Sequence, residues 1–330
     1  MIMKYPESRL RRLRYNNKVR ELVEDVSISV NDLIYPIFIC EGRKVKNEIK
    51  TLPGQFQLSI DNALKLCEKL LKSKIKNIIV FGISDKKDDS GEISCNQKSI
   101  VPKAIKEIKK EFKDEFLVIA DVCNCSYTKH GHCGTIVNDE VDNDLTIETL
   151  AKQSKILVES GADVLAPSDM MDGRVQLIRK KLDDSGYVDI PIFSYSVKYA
   201  SSFYGPFRDA VGSSPKMGDR KSYQMNFKNS FEFIREIEQD LNEGCDAIII
   251  KPALAYLDII SRVKNKFNVP IIAYNVSGEY SMVKAGNQKN YIDEKSVMME
   301  IMHSIKRAGA NSIITYHALE IAEILKNNEV

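Results

Sequence analysis

Eight short runs of apolar, largely β-branched residues punctuate this chain, and longer stretches with helical periodicity lie between them. The runs occupy 32–39, 77–83, 116–122, 163–167, 191–196, 246–251, 270–276 and 311–316. Each has the length of a strand buried on both faces, as in a parallel sheet. Segment 60–72 carries Ala63, Leu64, Cys67, Leu70 and Leu71 at helical spacing, with lysines opposite. Segments 146–160 and 230–242 repeat that pattern, and each passes through a glycine, Gly161 or Gly244, into the next run. A glycine just past a helix is a common stop signal. Alternating β and α elements imply parallel strands with right-handed crossovers. Eight such units predict an α/β fold closed as a TIM-type (β/α)₈ barrel. The competing architecture, a doubly wound open sheet, lacks the G-x-G-x-x-G that would open its first unit.

Composition agrees with one barrel. The chain has 330 residues, and barrels commonly need about 250 plus insertions. Hydrophobic residues make up 43 %, enough for a large core, and there is no internal repeat, low-complexity tract or linker. The net charge is only +2 with 28 % charged residues. No nucleic-acid partner is expected from such a balance. No apolar run approaches the roughly 18 residues of a membrane span. Arg9, Arg11, Arg12, Arg14 and Arg20 crowd the start of the chain, but Glu7, Glu21, Glu24 and Asp25 are mixed among them. Transit peptides are poor in acids, so residues 1–30 read as an ordered arm or first helix of a cytoplasmic protein, with the barrel over 31–330. Seven cysteines, an odd number, do not suggest a disulfide framework. Cys40, Cys67, Cys95 and Cys245 are scattered and read as small buried hydrophobes.

The connection 199–225 is rich in Gly, Ser and Pro and lacks clear helical periodicity. Loops of that length in a compact domain are commonly functional. Phe203, Tyr204, Phe207 and Tyr223, with Arg208 and Arg220, favour an active-site lid.

Chemistry in such barrels sits at the C-terminal strand ends. Those ends carry Asp121, then Ser168 and Asp169, then Lys198, Lys251, Tyr274 with Ser277, and Tyr316. Lys251 follows Ile248, Ile249 and Ile250, so its amine emerges from the end of a buried strand; Lys198 lies just past the neighbouring one. Adjacent strands are about 4.8 Å apart. Two ammonium groups brought that close disfavour each other's charge, and burial adds to the effect. A neutral amine is what Schiff-base formation with a ketone requires. Cys123, Cys125 and Cys133 fall on one loop with His130 and His132. Three thiolates can hold Zn²⁺ and leave a fourth position open, as catalytic sites do; a histidine as fourth ligand would make the site structural. Arg208 and Arg220 are candidates for gripping a carboxylate, whose geometry guanidinium matches. Ser277 and Tyr316 are candidates for holding a second one.

At these residues the chain resembles the porphobilinogen synthase (5-aminolevulinate dehydratase) family over nearly its whole length. The likeness runs through RRLR at 11–14, DLIYP at 32–36, the cysteine loop, APSDMMDGR at 166–174 and SYSVKYA at 194–200. It continues with GDRKSYQM at 218–225, IKP at 250–252, YLDI at 256–259 and AYNVSGEY at 273–280. The resemblance implies condensation of two 5-aminolevulinate molecules to porphobilinogen with loss of two waters, an early step of haem biosynthesis. It implies Schiff bases at Lys251 in the A site and at Lys198 in the P site, with Asp121 beside the P-site amine. Cys123, Cys125 and Cys133 would hold zinc. Ser168, Phe203, Arg208, Arg220, Gln224 and Tyr274 would contact substrate, and Ser277 and Tyr316 would bind the P-site carboxylate. Glu236 matches the position of an allosteric magnesium ligand in some members. A homo-octamer is implied, with the arm embracing a neighbour. Two other readings compete. A class I Schiff-base aldolase on the same barrel needs one lysine and no cysteine cluster. A noncatalytic zinc scaffold needs a closed metal site.

Overall fold

A computed structural model describes residues 4–328. All eight runs are strands, with ends within two residues of those expected: β1 (Leu33–Cys40), β2 (Asn77–Ile83), β3 (Leu117–Val122), β4 (Val164–Pro167), β5 (Phe193–Lys198), β6 (Ala247–Lys251), β7 (Ile271–Asn275) and β8 (Ser312–Thr315). The pairing is parallel throughout, in the spatial order β4-β3-β2-β1-β8-β7-β6-β5. The circle closes between β4 and β5 through an isolated bridge from Leu165 to Ile192, where the Leu165 N–H donates to the Pro191 carbonyl at 3.1 Å. The expected barrel is therefore the observed one.

Closure divides the apolar residues into two cores. Ile34, Phe38, Phe81, Ile119, Tyr195, Ile249, Tyr274 and Tyr316 fill the barrel interior. Leu33, Ile78, Val118, Leu165, Ile248 and Ile313 point outward under helices such as Ile60–Lys72, Asn143–Glu159 and Glu232–Asn242. Each strand must satisfy both surfaces, which is why the runs lack polar alternation. Burial of each such side chain stabilises the fold by about 1.5–3 kcal/mol. Helix ends follow local chemistry: Asp142 caps Asn143–Glu159 by accepting the Leu145 N–H at 2.9 Å.

Two expectations are corrected. Segment 199–225 is not free of helix: a 3₁₀ turn, Ser202–Tyr204, leads into an α-helix, Gly205–Val211. Its signals were Pro206 in the first turn and Gly212 just beyond the end, where φ is +57°. Among the scattered cysteines, Cys95 is only half-buried, while Cys40, Cys67 and Cys245 are buried. The arm holds a 3₁₀ turn, Leu10–Arg14, and a short helix, Asn17–Leu22, and no side chain of either is buried.

Candidate active site

Lys198 is not past its strand, as expected, but is its last residue; it pairs in register with Lys251, the last residue of β6. Both side chains are buried, with 5 % and 4 % exposure. Rings enclose the Lys251 amine: Nζ lies 4.2 Å from the ring centre of Tyr274, 4.7 Å from Phe207, 5.2 Å from Tyr204 and 5.4 Å from Tyr195. Loss of water, followed by the charge of Lys198, pushes its pKa down to about 7, against the opposing charge of Asp121. Lys198 Nζ donates to the Ser168 carbonyl and stands 5.7 Å from the Tyr195 ring centre.

Tyr195 was not singled out from the sequence, and strand parity explains why. Counting back from Lys198 by twos puts Ser196 and Ser194 inside the barrel and Tyr195 outside. The β5–β6 register instead shifts between Ile248 and Ile250, opposite 194–197. That irregularity turns Tyr195 inward, while Ser194 faces helix Glu232–Asn242 and donates to Asp240 at 2.7 Å. Two aromatics of the lid helix region also prove central. Tyr204 donates to the Lys251 carbonyl at 3.1 Å, and Phe207 meets Phe81 edge-on at 5.1 Å. The helix Gly205–Val211 thereby roofs the barrel mouth.

Asp121, next to last in β3, is partly buried as a residue, and one of its carboxylate oxygens is buried with no hydrogen-bond partner. Burial pushes its pKa up to about 6, while a hydrogen bond from Ser168 and the charges of Lys198 and Lys251 favour the anion. A carboxyl poised near neutrality beside two amines is suited to proton transfer.

Cys123, Cys125 and Cys133 are buried, and their Sγ atoms all lie within 4.8 Å of one another. The thiols of Cys123 and Cys125 hydrogen-bond toward Cys133, which favours thiolate there, as do the charges of Arg220 and Lys198. Soft donors so arranged fit a thiophilic ion. Neither histidine belongs to the cluster: His130 Nε2 faces the Asp89 carbonyl at 3.0 Å, and both ring nitrogens of His132 bond lid atoms. A second constellation, Glu294, His317 and Glu320, already encloses a cation, because the Lys284 ammonium bonds both glutamates.

Segment 199–225 supplies three of the remaining residues, Arg208, Arg220 and Gln224. Arg220 is buried and donates to the carbonyls of Gly131 at 2.7 Å and Ser213 at 2.6 Å, while its Nε is unpartnered. Arg208 Nε and both amide atoms of Gln224 are likewise buried without partners. Three unsatisfied donor atoms and one acceptor, from three residues of one segment, are suited to meeting a polar ligand. Tyr274 and Tyr316 share a hydroxyl–hydroxyl contact of 3.1 Å. Ser277 has both capacities engaged, accepting the Phe207 N–H at 3.0 Å and donating to the Phe203 carbonyl at 3.3 Å. Its hydroxyl ties down the lid and must exchange partners to meet a carboxylate. Glu236 stands apart, beside Asp172 and Glu232 on a cavity near the lid's end, and burial pushes its pKa up to about 7. Among the described residues it joins no three-ligand cluster.

Fold and site together define a barrel enzyme with two buried lysine amines on adjacent strands beside a cluster of three cysteines. Residues 7–324 match the family described as delta-aminolevulinic acid dehydratase. The delta-aminolevulinic acid dehydratase of Methanothermus sociabilis is 52 % identical over 321 residues, covering 97 % of this chain and 99 % of that protein. That of Helicobacter pylori is 50 % identical, with the same coverage. The solved structure of the Toxoplasma gondii ME49 enzyme, in complex with its reaction product porphobilinogen, superposes with a TM-score of 0.94 at 42 % identity, covering 96 % of this chain and 91 % of that one. The chain belongs to the delta-aminolevulinic acid dehydratase family.

Proposed function

We propose that this chain condenses two molecules of 5-aminolevulinate into porphobilinogen, losing two waters, by way of Schiff bases at Lys251 and Lys198. The activity is that of its family, a hydro-lyase of porphyrin biosynthesis. The observation that carries the two-lysine route is the pair of buried amines in register at adjacent strand ends. Lys251, neutral above about pH 7, attacks the ketone carbon of one substrate. Lys198 takes the other, held by the Ser168 carbonyl until then. Asp121 accepts and returns the protons. Arg208, Arg220 and Gln224 bind the carboxylate and polar atoms of the A-site molecule, within reach of Phe203. Tyr274, Tyr316 and Ser277 receive the P-site molecule. The aromatic roof excludes water, which would otherwise hydrolyse each imine.

Zinc is the proposed metal, held by Cys123, Cys125 and Cys133; bound there it supplies Lewis acidity toward the A-site substrate. Glu236 is the proposed ligand of an activating magnesium. The arm, with Leu10, Tyr15 and Leu22 more than 80 % exposed, is the proposed contact of a homo-octamer. The cytoplasm, where free thiols persist, is the proposed compartment.

The deciding experiment incubates the protein with 5-aminolevulinate alone, with chelator, and with zinc or magnesium restored separately. Porphobilinogen that disappears with chelator and returns with zinc is expected. No product under any condition would reject the reading. A class I aldolase would leave Lys198 and the cysteine trio without a role, and would form no porphobilinogen.

A further inference from the structure

We propose that His132 and Tyr223 are positioning residues that clasp the lid to the cysteine loop, so that the thiolate trio and the ligand-binding residues Arg220 and Gln224 are set as one unit. The inference rests on the reading of 199–225 as a substrate lid. Residues 130–133 and 213–223 are some ninety positions apart in the chain, yet they join at five points. The Lys216 N–H donates to the His130 carbonyl at 3.0 Å, and Arg220 donates to the Gly131 carbonyl at 2.7 Å. His132 Nε2 lies 2.9 Å from the Met217 carbonyl, so this nitrogen carries the proton and donates. Nδ1 is then the acceptor, and it takes the Tyr223 hydroxyl at 3.1 Å. The Tyr223 oxygen, having donated, lies 3.5 Å from the Cys133 N–H as its acceptor.

In this chain of hydrogen bonds, His132 and Tyr223 each have one donor role and one acceptor role, fixed by the Met217 carbonyl at one end and the Cys133 N–H at the other. The chain begins at the backbone of the third cysteine and ends on the lid. It also accounts for His132 beside the cluster without ligation, since its lone pair belongs to Tyr223. The two segments press together at backbone distance. Gly131 has φ +77°, and a Cβ there would fall 2.6 Å from the Ser214 carbonyl oxygen. Tyr223 and Gln224 both follow Arg220 closely, and their N–H groups return to its carbonyl at 3.4 and 2.8 Å. Fixing Tyr223 therefore fixes the turn that aims Arg220 and Gln224.

Linkage makes the consequence reciprocal: if metal in the thiolate trio favours the closed lid, ligand under the lid must retain the metal by the same factor. A hydrogen-bond chain that only held up the fold would produce neither effect. The test uses zinc-loaded protein and levulinate, a ketone acid without the amine, so that no turnover occurs. Zinc transfer to a chromogenic chelator is timed with and without levulinate, and trypsin cleavage after the exposed Lys216 and Lys221 is timed with and without zinc. In the wild type, levulinate should slow zinc release, and zinc should slow cleavage, each by at least about five-fold. Tyr223→Phe, which keeps the ring and deletes the hydroxyl, should lose most of both effects and raise KM more than it lowers kcat. Gly131→Ala should do the same by pushing the segments apart. Wild-type cleavage indifferent to zinc, or a Tyr223→Phe protein that keeps its levulinate protection, would overturn the clasp. Failure to make porphobilinogen would instead sink the functional reading, since neither timed measurement needs turnover.

Discussion

The amine of Lys251 has exchanged water for four aromatic faces and has a second amine as its ladder partner. Rings tolerate a cation at their faces, but they do not replace full hydration. The neutral form is therefore favoured as pH rises through about 7. Borohydride trapping of 5-aminolevulinate on Lys251 should rise across that pH and level off above it. Lys198→Met removes a charge that opposes protonation, so the rise should move to higher pH. Asp121→Asn removes a charge that favours protonation, so it should move lower. Mass spectrometry of the trapped peptide against pH measures all three, and unmoved midpoints would refute the electrostatic account. Lys251→Met should cost at least 10³-fold in turnover, as loss of a covalent nucleophile does. The two lysines, Asp121 and the cysteine trio were legible in the sequence because strand ends are legible. Tyr195 was not, because a register shift reversed its face, and no residue type signals that shift.

Elements meet at the lid, and Gly278 sets how closely. A Cβ there would fall 2.6 Å from the Phe203 carbonyl oxygen and 2.8 Å from its Cα. Gly278→Ala must displace the turn Ser202–Tyr204, at a cost of about 1–3 kcal/mol. KM should rise roughly ten-fold or more, with a smaller change in kcat, and steady-state kinetics would detect it. Arg174 is a second joint. Buried, it donates to Asp240 at 3.2 Å and Ser194 at 3.0 Å, and lies 3.7 Å from Asp169. It ties helix Arg174–Asp183 to β5 and to helix Glu232–Asn242. Arg174→Ala would strand two buried carboxylates and should destabilise by about 3–5 kcal/mol, readable in a denaturant melt. The strands and long helices could be read from periodicity. The lid helix of seven residues was too short for periodicity to register, and only its end signals, Pro206 and Gly212, betrayed it.

At the scale of the molecule, the end of the arm nearest β1 joins the barrel's core through Ile28 and Val30, and the stretch before it does not. Residues 10–22 bury no side chain in the single chain, although they carry Leu10, Leu13, Tyr15 and Leu22. Apolar surface of that kind marks an interaction segment. Deletion of residues 1–22 should leave the far-ultraviolet circular dichroism nearly unchanged per residue while lowering the mass of the assembly. Sedimentation velocity reads that mass; an unchanged value would exclude the arm as the oligomer contact. Periodicity and charge balance carried the barrel, since they report burial within one chain. Assembly was reached only through family likeness, because a solvent-facing leucine looks the same in sequence whether or not a second copy covers it.

The pairing of Lys198 with Lys251 has a geometric corollary. Neighbouring strands can be separated by only one spacing, about 4.8 Å, and the next available is about twice that. The peptide ladder thus sets the distance between the two lysine backbones in steps, and the flexible four-carbon stems adjust the separation of the amines. One step lets the two stems run side by side, so that small acids carried on them meet with little adjustment; two steps would force both stems to lean together and lose rotamer freedom. Transplanting either amine one strand over should leave a protein that still captures each ketone but joins them far more slowly.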